Sequence, residues 1–265
     1  MRLIESPKNP SVKSLLRLRN RRDREQLGRF LIEGTREVER ALAAGATLLE
    51  AYAQPQLAGT AGLGLLRQLQ ERGVDAAHLS RTAFERLSMR ENPDGILAVA
   101  KTWHSELTDL ELDGNSLLLI LDSLEKPGNL GALLRTADAT NASAVIVTGD
   151  GTDIFNPNVV RASMGALFAR PTVTAPAASV RAWLAQRSVR LIASTPHASL
   201  DYWDADMTGP VALLLGSESS GLPGQWLDLA MAKVRIPMLG SSADSLNVAT
   251  AGALLLYEAV RQRRG

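Results

Sequence analysis

In the second half of the chain, short apolar runs alternate with segments that have helical spacing. The apolar runs predict strands at residues 117–121, 144–148, 190–194, 211–215 and 233–236. Helices are predicted at residues 130–140, 157–166, 180–187, 223–232 and 247–263. Because strands without polar alternation are covered on both faces, this pattern predicts a parallel sheet between two layers of helices.

The first hundred residues also mix helical and strand patterns. Predicted helices lie at residues 11–26, 35–44 (with Thr35 as the N-cap) and 63–70, and predicted strands lie at residues 29–34, 48–53 and 96–100. A polar stretch at residues 102–116 contains Asp113-Gly114-Asn115 and reads as a linker. We therefore expect a first α/β domain at residues 1–101, a linker at 102–116 and a second α/β domain at 117–265.

The composition narrows the classes of protein. A chain of 265 residues with 45% hydrophobic residues can form two modest cores. The absence of cysteine excludes a disulfide framework, thiolate metal sites and cysteine nucleophiles, and without a basic-then-apolar leader we expect a cytoplasmic protein. The apolar runs are far shorter than the roughly 20 residues that span a bilayer, so no membrane partner is expected.

Positive charge is concentrated near the start of the chain. The formal net charge is only +1, but residues 8–29 contain eight Lys or Arg against two acids. This excess suits contacts with phosphates, although a solvated helix face would have the same composition. The candidate RNA-binding residues are Lys8, Lys13, Arg17, Arg19, Arg21, Arg22 and Arg29.

Three clusters of glycine and polar residues follow predicted strands of the second half. In open parallel sheets, this is the edge that binds ligands. The clusters are EKPGNLGALLRTA at residues 125–137, LLGSESSGL at 214–222, and IPM at 236–238 followed by SLNVA at 245–249.

Taken together and in this order, the three clusters resemble the motifs of the SpoU (TrmH-like) family of SPOUT RNA methyltransferases. The resemblance covers roughly residues 117–263, and residues 156–166 are similar to a segment that members carry after their second strand. More weakly, RFLIEG at residues 29–34 is similar to the start of an L30e-type RNA-binding domain. The resemblance implies an L30e-like N-terminal domain followed by a SPOUT α/β domain with a parallel sheet and a C-terminal deep trefoil knot, although general topology disfavours knots.

The resemblance also implies an activity. Members transfer a methyl group from S-adenosylmethionine to a ribose 2′-hydroxyl of RNA, and they are usually homodimers through the knot domain. The implied catalytic residues are Asn129, Arg135, Glu218, Ser245 and Asn247. The implied cofactor-binding residues are Thr148, Gly149, Gly216, Ile236, Met238 and Leu246.

Methyl transfer to a hydroxyl requires in-line approach, removal of the hydroxyl proton and placement of the neighbouring phosphate. An arginine side chain keeps its proton at any physiological pH, so we interpret Arg135 as a phosphate clamp and hydroxyl orienter and leave the proton acceptor open. Glu218 could orient the ribose or accept from an arginine. Asn247 could serve as a helix N-cap, and Gly216 could allow close approach of the ligand.

Other chemistries find little support in the sequence. GSESSG at residues 216–221 does not have the spacing of a nucleophile elbow, and no dinucleotide-binding or P-loop motif is present. The three histidines, His78, His104 and His197, are widely separated, so no metal site is expected.

Three alternatives stay open at this point. The L30e-like first domain favours structured ribosomal RNA, 23S rRNA in particular, but a tRNA 2′-O-methyltransferase is the alternative substrate class. A second alternative is a non-catalytic RNA-binding or ribosome-assembly protein with the same fold. A third is a SPOUT enzyme that methylates a base nitrogen, which the GSE and SLNV motifs disfavour.

Overall fold

The computed structural model describes residues 1–240, 242 and 244–264. It divides the chain into two compact units. Unit 1 consists of Met1–Trp103 and Asp153–Ala169, and unit 2 consists of His104–Thr152 and Arg170–Gly265. The expected domains are contiguous in sequence, whereas unit 1 also contains a segment from the second half of the chain.

Strands and helices alternate through most of the described residues. The strands are β1 (Arg2–Ile4), β2 (Arg29–Glu33), β3 (Leu48–Ala53), β4 (Asp75–Leu79), β5 (Ile96–Lys101), β6 (Leu117–Asp122), β7 (Ala144–Thr148), β8 (Thr172–Thr174), β9 (Arg190–Ser194), β10 (Leu200–Asp201), β11 (Val211–Leu215) and β12 (Ala232–Arg235). The α-helices are α1 (Pro10–Arg17), α2 (Arg21–Leu27), α3 (Thr35–Ala43), α4 (Pro55–Glu71), α5 (Arg81–Leu87), α6 (Pro127–Ala139), α7 (Pro157–Ser163), α8 (Ala177–Ala185), α9 (Gly224–Leu229) and α10 (Val248–Arg263).

Unit 1 is built on a five-stranded mixed sheet in the order β1-β4-β3-β5-β2. Strand β5 runs antiparallel to β2 and β3, and the other pairs are parallel. Helices α1 and α5 cover one face through a core that includes Val12, Leu31, Phe84 and Leu97. The basic N-terminal segment is therefore anchored by its apolar positions.

Two predicted helix boundaries in unit 1 were wrong. The predicted helix 11–26 is two helices, because Asn20 leaves helical geometry and its side chain accepts from the backbone N–H of Arg22 at 2.9 Å, which starts α2. Thr35 is the first residue of α3, not its N-cap. Its backbone N–H donates to Oδ2 of Asp94 at 2.7 Å, and the cap position is Gly34 at φ +119°.

Residues 153–169 are held in unit 1 by aromatic packing and one buried ion pair. The ring of Phe155 lies 4.8 Å from that of Phe30 and 4.7 Å from that of Trp103. Nη2 of Arg24 lies 2.5 Å from Oδ2 of Asp153, and the Arg24 side chain is 3% exposed. Breaking a buried pair by removing one partner strands a charge, so this contact ties the segment firmly to α2.

Unit 2 contains a seven-stranded parallel sheet in the order β10-β12-β9-β11-β6-β7-β8. The predicted parallel sheet is confirmed, although its strand at 233–236 lies one residue earlier, as β12. Strands β8 and β10 were not predicted. Because all seven strands run in the same direction, their carboxyl ends share one edge, where the loops carrying the three motif clusters begin.

The terminal helix α10 packs across this sheet. A Cβ added to Gly252 would lie 2.3 Å from Leu133 of α6 and 2.7 Å from Leu215 of β11, so the missing side chain allows close contact. The helix begins with Asn247 as its N-cap. No helix among the described residues is long and apolar enough to cross a membrane.

Candidate active site

The candidate site lies where two adjacent strands of the unit 2 sheet end. Strands β6 and β11 pair in parallel, with Leu121 opposite Leu215. The loops that follow them, residues 123–126 and 216–223, therefore leave the sheet side by side. Helix α6 starts after the first loop, which brings the first motif beside the second.

Three of the predicted catalytic residues form one hydrogen-bonded cluster. The Asn129 Nδ2 atom donates to Oε1 of Glu218. The Asn247 Nδ2 atom donates to Oδ1 of Asn129 at 3.1 Å. The cluster thus joins α6, the turn after β11 and the start of α10, and its side chains are half-buried or exposed and open to a substrate.

A carboxylate that sequence reasoning missed supports the same turn. Oε1 of Glu125 accepts from Oγ of Ser217 at 2.9 Å and from Oγ of Ser219. The hydrogen bonds from Ser219 and Ser217 lower the pKa of Glu125 below its ordinary value of 4.5. Its position three residues after β6, inside the first motif, was the available signal.

Arg135 is not part of this cluster. It is six residues beyond Asn129 on α6, which places it about 9 Å further along the helix axis and about 120° around it. The side chain is exposed. Among the described residues no hydrogen-bond or ion-pair partner is found for it, so its guanidinium faces solvent.

A cavity of about 410 Å³ opens beside the cluster, at the ends of β9 and β12. Four predicted residues line it, namely Ser245 and the cofactor candidates Ile236, Met238 and Leu246. Sequence reasoning missed other residues on its wall, although they lie within, directly after or next to predicted strands and the third motif: Ser194, Thr195, Pro196, Arg235 and Asp244.

The other three cofactor candidates are not on the wall of this cavity. Thr148 ends β7, three strands or roughly 14 Å from β9, and its side chain is buried. Gly149 follows it and packs against Ser123. A Cβ at Gly216 would lie 2.4 Å from the carbonyl oxygen of Gly221, so this glycine allows the turn to close on itself.

Asp122, at the end of β6, is a buried carboxylate beside the site. Asp122 is 3% exposed, and its carboxylate accepts a long hydrogen bond of 3.4 Å from Oγ of Ser123. Burial raises the pKa of Asp122 above its ordinary value of 3.8.

The candidate RNA-binding residues all lie on the surface of unit 1. Three of them are ion-paired: Arg17 with Asp23, Arg21 with Glu25 and Arg29 with Glu50. Arg19 instead donates to the backbone carbonyls at the end of α5, including that of Leu87 at 2.8 Å. For the side chains of Lys8, Lys13 and Arg22, no partner is found within the described part of the chain.

The fold and the site define a class of protein. A parallel α/β domain with a half-apolar cavity and a polar cluster at the carboxyl edge of its sheet is a ligand-binding, enzyme-like arrangement. Within the described residues, no group of three or more His, Asp or Glu could hold a metal ion.

The chain belongs to the SpoU rRNA methylase family, whose profile matches residues 116–257. A second profile, the MRM3-like substrate binding domain, matches residues 9–98. Among curated proteins, a 23S rRNA (uridine(2479)-2′-O)-methyltransferase from Streptomyces viridochromogenes is 35% identical over 255 residues, covering 93% of this chain and 87% of that protein.

Solved structures agree with this assignment. An RNA 2′-O ribose methyltransferase superposes with a TM-score of 0.87 at 42% identity, covering 99% of this chain and 100% of that one. An AdoMet-bound rRNA methyltransferase from Sinorhizobium meliloti superposes with a TM-score of 0.89 at 32% identity, covering 98% and 97%. AdoMet is S-adenosylmethionine.

Proposed function

We propose that this protein is an S-adenosylmethionine-dependent RNA methyltransferase that methylates a ribose 2′-hydroxyl in 23S rRNA. The observation that carries the proposal is the contact chain from Glu218 through Asn129 to Asn247, next to a cavity walled by Ser245 and Leu246. The rRNA relatives support the choice of substrate.

The cavity suits the cofactor in size and chemistry. Its volume of about 410 Å³ lies in the usual range of small-molecule sites. Ile236, Met238 and Leu246 offer apolar surface for an adenine ring, and the hydroxyls of Thr195 and Ser245 and the carboxylate of Asp244 offer partners for polar groups. The bound cofactor supplies an electrophilic methyl group on a sulfonium.

The protein's own residues then position the acceptor. Oε1 of Glu218 is committed to Asn129, which leaves the other carboxylate oxygen to accept from the 2′-hydroxyl and orient it. Asn129 and Asn247 hold that carboxylate in place. Arg135 clamps the neighbouring phosphate, since it is exposed and carries a permanent charge.

Unit 1 supplies affinity for structured RNA. The exposed cations Lys8, Lys13 and Arg22 are available for phosphates, whereas paired arginines must first leave their carboxylates. We assign this unit to the L30e type, supported by its mixed sheet and its match to a substrate-binding profile. We also place the protein in the cytoplasm, an assignment supported by its rRNA methyltransferase relatives.

Unit 2 contains a trefoil knot and forms a homodimer. The knot is supported by the path of the chain, which leaves β12 near one end of the sheet and returns as α10 against α6 and β11. The dimer is supported by the exposed face of α10, where Tyr257 is 54% and Leu254 37% exposed. Tyr257→Glu should give a monomer in sedimentation equilibrium, and a dimer unaffected by this change would exclude that face.

Mapping ribose methylation across total RNA tests the function. Host cells with and without the protein are compared, and one 2′-O-methyl site in 23S rRNA should disappear without it. A lost site in tRNA would instead identify a tRNA enzyme. A lost base methylation would identify a base-modifying relative, and no lost site would leave the non-catalytic alternative.

A further inference from the structure

Glu125 ties the loop after β6 to the turn that carries Glu218. Its Oε1 accepts from Oγ of Ser217 at 2.9 Å and from Oγ of Ser219. These two serines flank Glu218 in sequence. One carboxylate oxygen therefore holds the turn on both sides of the residue that contacts Asn129.

The hydroxyl of Ser217 connects Glu125 to the backbone of the turn. The same Oγ accepts from the backbone N–H groups of Ser219 at 3.1 Å and Ser220 at 3.3 Å. Oγ of Ser219 also lies 2.9 Å from it, so the two hydroxyls and the carboxylate of Glu125 form one hydrogen-bonded group. Ser217 is only 7% exposed, so without the carboxylate its O–H would turn to another acceptor such as Oγ of Ser219, and the turn would rearrange.

The backbone of Glu125 is fixed from its other side. Oγ1 of Thr152 donates to the carbonyl oxygen of Glu125 at 2.6 Å, and the Thr152 N–H donates to the carbonyl oxygen of Leu124 at 2.8 Å. The residue is thus braced by the loop after β7. A side chain whose backbone is held in place keeps its hydrogen-bond partners in a more fixed position than a side chain on a free loop does.

We propose that Glu125 is a positioning residue for methyl transfer: its carboxylate fixes the turn at residues 217–221 so that Glu218 stays in contact with Asn129. This inference rests on the proposed function. The proposed role depends on the hydrogen bonds that the Glu125 oxygen accepts and not on the negative charge of Glu125.

Single-turnover methylation of rRNA from host cells lacking the protein tests the proposal. Glu125→Ala should slow methyl transfer by about tenfold or more, because small misplacements of catalytic groups are costly. KM for the RNA should stay within about twofold, so the loss should appear in the rate of methyl transfer. Glu125→Gln keeps an acceptor oxygen and should restore most of the rate.

A double-mutant cycle tests whether Glu125 acts through the serines. Glu125→Ala combined with Ser219→Ala should be no slower than Glu125→Ala alone, because both changes break the same contact. Asp150→Ala is the matched control. Asp150 is an exposed carboxylate in the loop after β7, and its replacement should leave the rate unchanged.

Hydrogen exchange separates this proposal from the proposed function. The amides of Ser219 to Gly221 should exchange faster in Glu125→Ala whether or not RNA is methylated. If the unaltered protein does not methylate RNA, the proposed function is wrong, but the effect of Glu125 on the turn can still be measured by exchange. A wild-type rate with unchanged exchange in Glu125→Ala, or equally slow Gln and Ala variants, would overturn the role of Glu125.

Discussion

Nδ2 of Asn247 donates to Oδ1 of Asn129 at 3.1 Å, across 118 residues of sequence. Oδ1 of Asn247 meanwhile accepts from the backbone N–H of Ala249 at 2.9 Å and caps α10. The N-cap and the active-site roles considered for this residue are therefore compatible, because each uses a different atom of the same amide.

Replacing Asn247 should separate these two roles. Asn247→Ser keeps a good capping group but cannot reach Asn129, so methyl transfer should fall while stability changes by only a few tenths of a kcal/mol. Asn247→Ala should lose both and cost about 1 kcal/mol of unfolding free energy. Urea unfolding and single-turnover rates measure the two effects. Equal rates for Asn247→Ser and the unaltered protein would remove Asn247 from catalysis.

Arg135→Ala should abolish methyl transfer and leave cofactor affinity within a few-fold. The side chain is exposed and has no partner among the described residues, so its removal should leave Tm unchanged. Arg135→Lys keeps the charge but loses the planar guanidinium and should recover only part of the activity. Near-normal turnover in Arg135→Ala would refute the phosphate-clamp role.

Gly216→Val should weaken S-adenosylmethionine binding measured by calorimetry. The added Cβ would meet the carbonyl oxygen of Gly221 at 2.4 Å, so the effect reaches the site through distortion of the turn. Gly224→Ala is the control, since nothing lies within 4 Å of its added Cβ. Unchanged S-adenosylmethionine affinity in Gly216→Val would show that this turn does not contribute to the cofactor site.

Lys8, Lys13 and Arg22 should contribute most of the salt-dependent RNA affinity of the N-terminal segment. Replacing all three by Ala should weaken binding and reduce the slope of log affinity against log salt by about 2, at about 0.7 per phosphate contact. The control is a second triple variant, in which Arg187, Lys233 and Arg264 of unit 2 are replaced by Ala, because it makes the same change in net charge. If both triple variants weaken binding equally, the segment is only a solvated surface.

Asp122→Asn should stabilise the protein at neutral pH. Because burial raises the folded-state pKa of Asp122 above 3.8, the folded protein keeps a proton that the unfolded chain has released. Stability from this group therefore falls as pH rises through the interval between the two pKa values, and stays low above it. Thermal melts should show the gain at pH 7 and its loss as pH falls toward 3.8.

Asp113→Asn should have the opposite effect on stability at neutral pH from Asp122→Asn. The backbone N–H of Asn115 and the hydroxyl of Ser116 lower the pKa of Asp113, so its charged form stabilises the fold. This variant should lower Tm at pH 7, and the difference should shrink at acid pH. The same sign in both variants would contradict the burial of Asp122.

The sequence predicted the central strands of unit 2 because burial on both faces produces continuous apolar runs, as in β6 and β11. The edge strands β8 and β10 have three and two residues, too few for any periodicity. Strand β4 and helix α5 were also missed, since DAAHL lacks the β-branched residues that mark strands and α5 is only seven residues long.

The part of the candidate site that was predicted consists of residues in the loops that follow strands. Ile236, Met238, Leu246 and Ser245 line the cavity because their loops leave the carboxyl edge of the sheet. Glu125 was missed because its role depends on hydroxyls more than 90 residues away. The partners of three N-terminal arginines were not predicted either, because counting charges along the sequence does not show which groups lie nearby in the fold. Arg17 and Arg21 form ion pairs, and Arg19 donates to the carbonyl of Leu87.

The segment Asp153–Ala169 constrains how the protein can be made. Unit 1 needs Asp153 for Arg24 and Phe155 for Phe30, so its folding cannot finish during synthesis until these residues leave the ribosome. By then β6 and β7 of unit 2 have already emerged. Early folding of unit 1 is therefore delayed, and the nascent chain carries two unfinished cores at once instead of completing one before the other.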